Sequence, residues 1–253
     1  MITKNQIKLI NQLKLKKFRD KYQLFIAEGI KIVNDLYDSS FEIQSIFITS
    51  EYYEQVNNKF QDIKDINIIT DNEIKKISLQ KSPNKIFAIV KIPQYDIDYQ
   101  EIENNLTLVM DNIQDPGNLG TIVRIADWFG IANIVCSENC VDIYNQKVIQ
   151  ATMGSISRIK IHYIDLAIFF ENVANNVTVY GTFLEGKNIY EKNFNKNGIV
   201  IFGNESKGIS DNLHKYISEK IFIPNYPASQ KTAESLNIST AAAIICYEFR
   251  RKE

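Results

Sequence analysis

The sequence predicts an α/β protein in two parts: a small α/β domain, then a larger one whose mostly parallel sheet is flanked by helices. Three observations carry this. Short apolar runs that stop at Gly, Pro or Asn alternate with segments whose apolar residues recur at helical spacing, the pattern of strands joined by helices. Between Pro93 and Asn105 the pattern lapses into a stretch rich in Tyr, Asp, Glu and Asn, which marks a boundary near residue 100. With 253 residues, 45% of them hydrophobic and 11% aromatic, the chain can fill the cores of one large or two ordinary domains. The expected division is a first domain over 1–95, a linker over 96–105 and a second domain over 106–253.

In the first domain, Ile7, Leu9, Ile10 and Leu13 recur at helical spacing and predict an amphipathic helix with lysines on its outer face. Tyr22 to Ala27 is a short β-prone run ending at Glu28 and Gly29, and Ile30 to Leu36 returns to helical spacing. Strands are expected at Ile43 to Ile48, Ile66 to Ile69 and Ile86 to Ile92, with helices at Glu51 to Phe60 and Asp71 to Ile77. The second domain opens with Leu106 to Met110 as a buried strand. Asn118 reads as the N-cap of a helix whose inward face is Leu119, Ile122, Val123, Ala126 and Phe129, with Gly130 beyond its end. Further strands are expected at Asn133 to Cys136, Arg158 to His162, Val177 to Thr182, Ile199 to Phe202 and Ile221 to Ile223.

The last stretch carries the sharpest signals. The apolar run Ile199 to Phe202 breaks at Gly203-Asn204-Glu205-Ser206-Lys207-Gly208, a turn able to approach a ligand closely. Lys220 to Ile223 is stopped by Pro224, and a helix is expected from Ser235 to Arg251, so two strand ends and a helix start converge. Ligands of parallel sheets sit beyond such strand ends. The strand, the G-x-x-x-x-G spacing and Ser210 mimic a phosphate-binding P-loop, but a P-loop has Lys after its second Gly, where this chain has Ile209. No G-x-G-x-x-G follows any expected strand, which disfavours a dinucleotide fold. Ser235 has no evident base, since the only histidines are His162 and His214 and neither sits in a motif. Its plain reading is a helix cap.

Gly203-Asn204-Glu205 with Gly208-Ile209-Ser210, then Ile223-Pro224, then Glu234-Ser235-Leu236-Asn237 with Ser239, resemble the second and third motifs of the SpoU (TrmH-like) RNA ribose 2′-O-methyltransferases of the SPOUT superfamily. Asn112, Asp115-Pro116-Gly117-Asn118-Leu119-Gly120, Arg124 and Phe129-Gly130 resemble the first motif, in the family's order, and the resemblance runs from about Leu106 to Arg251. It implies a deep trefoil knot, S-adenosylmethionine as cofactor, and a homodimer. It also implies catalytic roles for Arg124, Asn118, Glu205, Ser235 and Asn237, and a cofactor site at Thr182, Gly203, Ile223 and Leu236. The chain departs from the family between Pro224 and Ser235, where its loop is longer and lacks a Gly common soon after the Pro. Phe25-Ile26-Ala27-Glu28-Gly29 resembles the start of the small ribosomal-protein-like substrate-binding domain that many SpoU enzymes carry, although Glu28-Gly29 also reads as a plain strand-to-helix turn.

Methylating a ribose requires the phosphate and 2′-hydroxyl to be held in line with the sulfonium methyl, and a guanidinium fork suits phosphate. A free guanidinium gives up its proton only above about pH 12, so a clamp role for Arg124 is preferred over general base. Formal net charge is −1. Residues 1–21 nevertheless carry about +6, leaving about −7 on the rest, so Lys14, Lys16, Lys17 and Arg19 are candidate RNA contacts, with a solvated helix face as the plain alternative. Ribosomal RNA is favoured over transfer RNA on the strength of the N-terminal domain, and a non-catalytic RNA-binding protein keeping the fold is the alternative. Three cysteines without paired metal-ligand spacing read as reduced packing residues, with no metal expected. The chain has no apolar run of membrane-spanning length and Met1 to Gln6 lack a signal-peptide core, so the cytoplasm is expected.

Overall fold

The computed structural model describes residues 2–56, 59–78, 80, 82–227 and 233–251. In chain order its first elements are α1 (Lys4–Leu13), α2 (Lys16–Tyr22), β1 (Leu24–Glu28), α3 (Ile30–Tyr37), β2 (Ile43–Thr49), α4 (Ser50–Gln55), β3 (Ile66–Ile69), α5 (Asp71–Ile77) and β4 (Ile86–Lys91). Then follow α6 (Tyr99–Asn104), β5 (Leu106–Met110), α7 (Pro116–Trp128), β6 (Asn133–Cys136), α8 (Gln146–Thr152), β7 (Lys160–Tyr163), α9 (Leu166–Glu171), β8 (Val179–Asn188), β9 (Gly198–Phe202), β10 (Glu219–Phe222) and α10 (Ile238–Arg250). They form two compact units, Met1–Gln94 with Asp142–Ser157, and Tyr95–Val141 with Arg158–Glu253.

The first unit is a mixed sheet in the order β1-β4-β2-β3, with β4 antiparallel to both neighbours and β2 parallel to β3. Helix α1 starts at a capping box in which Thr3 and Gln6 exchange side-chain and backbone bonds, and it buries Ile10 and Leu13. Those two pack with Ile26, Phe47, Phe87 and Ile89 of the sheet. Residues 142–157, which the sequence placed in the second domain, belong to this unit. Tyr144 packs on Phe25 with ring centroids 4.8 Å apart, and Gln150 Nε2 donates to the Glu28 carbonyl at 2.7 Å.

Arg19 is also committed to that attachment. Only 3% exposed, it donates from Nε and Nη2 to Asp142 Oδ2 at 2.9 and 2.5 Å, and from Nη1 to the carbonyls of Leu13 and Lys14. The expected RNA contact at Arg19 is therefore corrected: its donors are turned inward and used. Removing one partner of a buried pair strands the other charge, so Arg19→Ala should cost about 3–5 kcal/mol of stability in denaturant titration. Reversing the exposed Lys16 and Lys17 should leave the midpoint nearly unchanged.

The second unit is a six-stranded sheet ordered β10-β8-β9-β5-β6-β7 with every neighbouring pair parallel. Its central strands β5, β6 and β9 are buried along their whole length, as expected of a sheet covered on both faces. The chain builds outward from β5 through β6 to β7, and β9 and β8 then lie on β5's other side. The order of strand addition reverses between β5 and β9, the kind of position where open parallel sheets bind ligands. The stretch expected to be a linker contains α6, whose Ile102 is fully buried.

His162 on β7 is 5% exposed and its Nε2 lies 3.1 Å from Asn133 Oδ1. Burial pushes its pKa below the usual 6.5. The folded state thus prefers the neutral ring, and this group's contribution is complete above about pH 6.5 and is lost as pH falls through its lowered folded pKa. Melting curves between pH 7.5 and 5 should show a shallower loss in His162→Gln than in the parent protein.

Candidate active site

Three polar side chains from three distant segments meet in the second unit. Helix α7 does not start at Asn118 as the sequence suggested. Asp115 is the N-cap, its Oδ1 accepting from the Asn118 N–H at 2.7 Å, and Pro116 takes the first turn, where its missing N–H costs nothing. Asn118 is thereby a first-turn residue with its amide free of capping duty. Its Nδ2 donates to Glu205 Oε1 at 2.8 Å, and its Oδ1 accepts from Asn237 Nδ2 at 2.9 Å.

Asn237 is itself the N-cap of α10, its Oδ1 accepting from the N–H groups of Ser239 and Thr240 and from the Ser239 hydroxyl. The expectation that Ser235 begins and caps this helix is corrected, since the Asn carbonyl reaches the first-turn donors and leaves Ser235 exposed two residues upstream. Arg124 is exposed on α7, with no hydrogen bond or ion pair among the described residues. The structure thus joins Asn118, Glu205 and Asn237 directly. Ser235 lies on the same chain segment as Asn237, and Arg124 lies further along the helix that carries Asn118.

Of the expected cofactor residues, two directly follow strands, Thr182 lies within β8, and Leu236 lies just before α10. Gly203 and Ile223 directly follow β9 and β10. Thr182 follows the last β8–β9 pair, Gly181 with Ile201, and its Oγ1 donates to the Ile201 carbonyl at 3.0 Å. There β8 leaves its ladder with β10: Lys220 pairs with Gly181, but Ile221 pairs with Lys187, so 182–186 bulge out. Gly186, at φ +146°, permits the return because a Cβ would strike the Lys220 backbone. At Gly203 a Cβ would overlap the backbone of Gly208 and Ile209. Leu236 leaves half of its apolar side chain exposed. Side-chain-free backbone and an available apolar surface fit an adenosine held through main-chain groups. The unusually long stretch 225–234 falls partly outside the described residues.

One member of the site was not singled out from the sequence. Asp111, 2% exposed, accepts from the Ser210 N–H and the Asn112 amide, and Asn204 Nδ2 donates to the Asn112 carbonyl. The available signal was an acid placed immediately after a mostly apolar strand. Beyond the ends of β5, β6 and β7 lies a polar cavity of about 190 Å³ bordered by Asp111, Asn112, Ser137, Glu138, Asp165 and Ser210. Among the described residues no group of three or more His, Cys, Asp or Glu is placed to hold a metal ion, and no helix is long and apolar enough to cross a membrane.

Comparison with known proteins identifies the family and the fold. The SpoU rRNA Methylase family matches residues 105–247, and an MRM3-like substrate binding domain matches residues 4–88. The 23S rRNA (guanosine(2553)-2′-O)-methyltransferase RlmP of Bacillus subtilis is 28% identical over 250 residues, spanning 98% of this chain and 97% of that protein. Among solved structures, a TrmH-family protein from Porphyromonas gingivalis superposes with a TM-score of 0.87 at 32% identity, covering 100% of both chains. An AdoMet-bound rRNA methyltransferase from Sinorhizobium meliloti gives 0.85 at 28% identity, covering 100% of this chain and 96% of that one. The matched fold, motifs and near full-length relatives make the conclusion plain: this chain belongs to the SpoU rRNA methylase family of S-adenosylmethionine-dependent 2′-O-ribose methyltransferases.

Proposed function

We propose that this protein methylates one ribose 2′-hydroxyl of ribosomal RNA in the cytoplasm, with Asn118, Glu205 and Asn237 as the core of the reacting site. The observation that carries this reading is the continuous hydrogen-bonded chain from Glu205 through Asn118 to Asn237 beside the tight turn at Gly203. Thr182, Gly203, Ile223 and Leu236 hold S-adenosylmethionine, which supplies an electrophilic methyl. Arg124, unencumbered on α7, clamps the phosphate next to the acceptor and orients the hydroxyl. Glu205 is the cluster's one carboxylate and has the chemistry to receive the hydroxyl proton. Ser235 contributes its hydroxyl to the acceptor side. The trefoil knot of the family belongs to the same proposal. Purified protein should transfer tritiated methyl from S-adenosylmethionine to unmodified rRNA; transfer to tRNA alone would redirect the substrate assignment, and none to either would favour a non-catalytic RNA binder.

The first unit binds the RNA. Lys16 and Lys17 are exposed, whereas Lys14 is half-buried and its pKa is lowered by desolvation, partly offset by Glu28. Charge reversal at Lys16 and Lys17 should weaken rRNA binding, and the deficit should shrink as salt rises because fewer counterions are released. A filter-binding salt series reads both.

The protein works as a homodimer through α7 and α10, which pack together and leave Trp128 85% and Tyr247 54% exposed. Such large aromatics in water are what a second copy would cover. Sedimentation at micromolar concentration should give about twice the 29.2 kDa chain mass, and Trp128→Glu should return it toward the monomer.

A further inference from the structure

The turn that presents Glu205 is held from one side by a buried polar group that no helix or long ladder replaces. Asp111 follows β5, and its N–H donates to the Phe202 carbonyl at 2.9 Å, at the point where β9 gives way to the turn. Both of its carboxylate oxygens are used: Oδ2 accepts the Ser210 N–H at 2.7 Å and Oδ1 accepts Asn112 Nδ2 at 2.7 Å. Asn112 sits at φ +57°, a left-handed conformation that Asn tolerates better than most residues. In that conformation its N–H donates to Ser137 Oγ at 2.9 Å and its carbonyl accepts Asn204 Nδ2 at 2.8 Å. Asn204 completes the brace. Its backbone exchanges bonds with Gly208 at 3.0 and 2.8 Å, and its Oδ1 accepts from the Ser206 and Lys207 N–H groups at 3.0 and 3.1 Å.

The two ends of the turn, Asn204 and Ser210, are therefore both anchored on the Asp111-Asn112 pair, and Glu205 stands one residue from the first anchor. We propose that Asp111, Asn112 and Asn204 are positioning residues for methyl transfer, which act by fixing the turn so that Glu205 meets Asn118. The inference rests on the reading of Glu205 as part of the reacting site. Burying a carboxylate is unfavourable unless its acceptors are filled, and here each oxygen holds a different part of the brace. Asn at 111 would turn an amide N–H₂ toward one of the two donors and break that link. Asp at 204 would keep the acceptor of Ser206 and Lys207 and lose the donor to Asn112.

Double-mutant kinetics separate positioning from general support of the fold. Asp111→Asn and Asn204→Asp should each lower kcat by about tenfold or more, with folding checked by circular dichroism and melting temperature. Because they act through Glu205, the same substitutions in a Glu205→Ala background should change the residual rate by less than about twofold. Penalties that multiply with Glu205→Ala would overturn the inference and leave the brace a structural support only. Full turnover by Glu205→Ala alone would instead remove the reading of the site on which it rests, and the two failures are distinct in one data set.

Discussion

Arg124→Ala is expected to lower methyl transfer by about a hundred- to a thousandfold, the scale seen when one preorganised charge-stabilising donor is removed, while S-adenosylhomocysteine binding stays near its parent value. The separation follows from where the residue stands. Arg124 is exposed on α7, makes no hydrogen bond or ion pair among the described residues, and so contributes little to the fold. In the proposed clamp role its interactions form only with the RNA phosphate and ribose, so the loss should be confined to the reacting complex. Arg124→Lys should recover only part of the rate, because an ammonium is a point charge without the planar fork. A tritiated-methyl assay and calorimetry on the same samples read the two effects, and full turnover by Arg124→Ala on its native RNA would refute the role.

Gly203→Ala should fail differently, losing cofactor binding together with stability. A Cβ at 203 would overlap backbone atoms of Gly208 and Ile209, and backbone has no rotamer with which to yield. The turn must open, which breaks the Asn204–Gly208 pairing and moves Glu205 off Asn118. We expect a cost of about 1–3 kcal/mol in denaturant titration and no detectable heat with S-adenosylhomocysteine at millimolar concentration. Gly130→Ala is the control. There a Cβ meets nothing within 4 Å, so only the strained φ of +64° is felt, and cofactor binding should survive. Normal cofactor affinity in Gly203→Ala would place the adenosine elsewhere.

Elements set by local apolar pattern were the most legible in the sequence. The runs around Leu106, Asn133 and Ile199 form β5, β6 and β9 within a residue or so of where their apolar pattern puts them, because wholly buried parallel strands leave a near-continuous apolar signature. Caps were less legible. Asn118 and Ser235 both have the chemistry to cap, but Asp115 beside Pro116, and Asn237 two residues nearer the apolar helix, reach the open N–H groups first. Tertiary commitments were not legible at all. Nothing local distinguishes Arg19 from its lysine neighbours, and only its contact with Asp142, 123 positions away, shows that it is structural. Residues 142–157 were likewise assigned by proximity in sequence to the unit in which they do not reside. At the site, the resemblance named Asn118, Glu205 and Asn237 as separate motif positions, Glu205 lying 87 and Asn237 lying 119 residues beyond Asn118, whereas their mutual hydrogen bonds are a property of the fold.

The proposed role of Asn118, Glu205 and Asn237 in methylating a ribose of ribosomal RNA is open to a direct test in cells. Mapping 2′-O-methyl groups across the rRNA of cells with the gene, without it, and complemented with the Glu205→Ala variant tests it most directly. One rRNA position should be methylated with the gene, unmethylated without it, and not restored by Glu205→Ala. An rRNA methylation pattern identical in all three would contradict it.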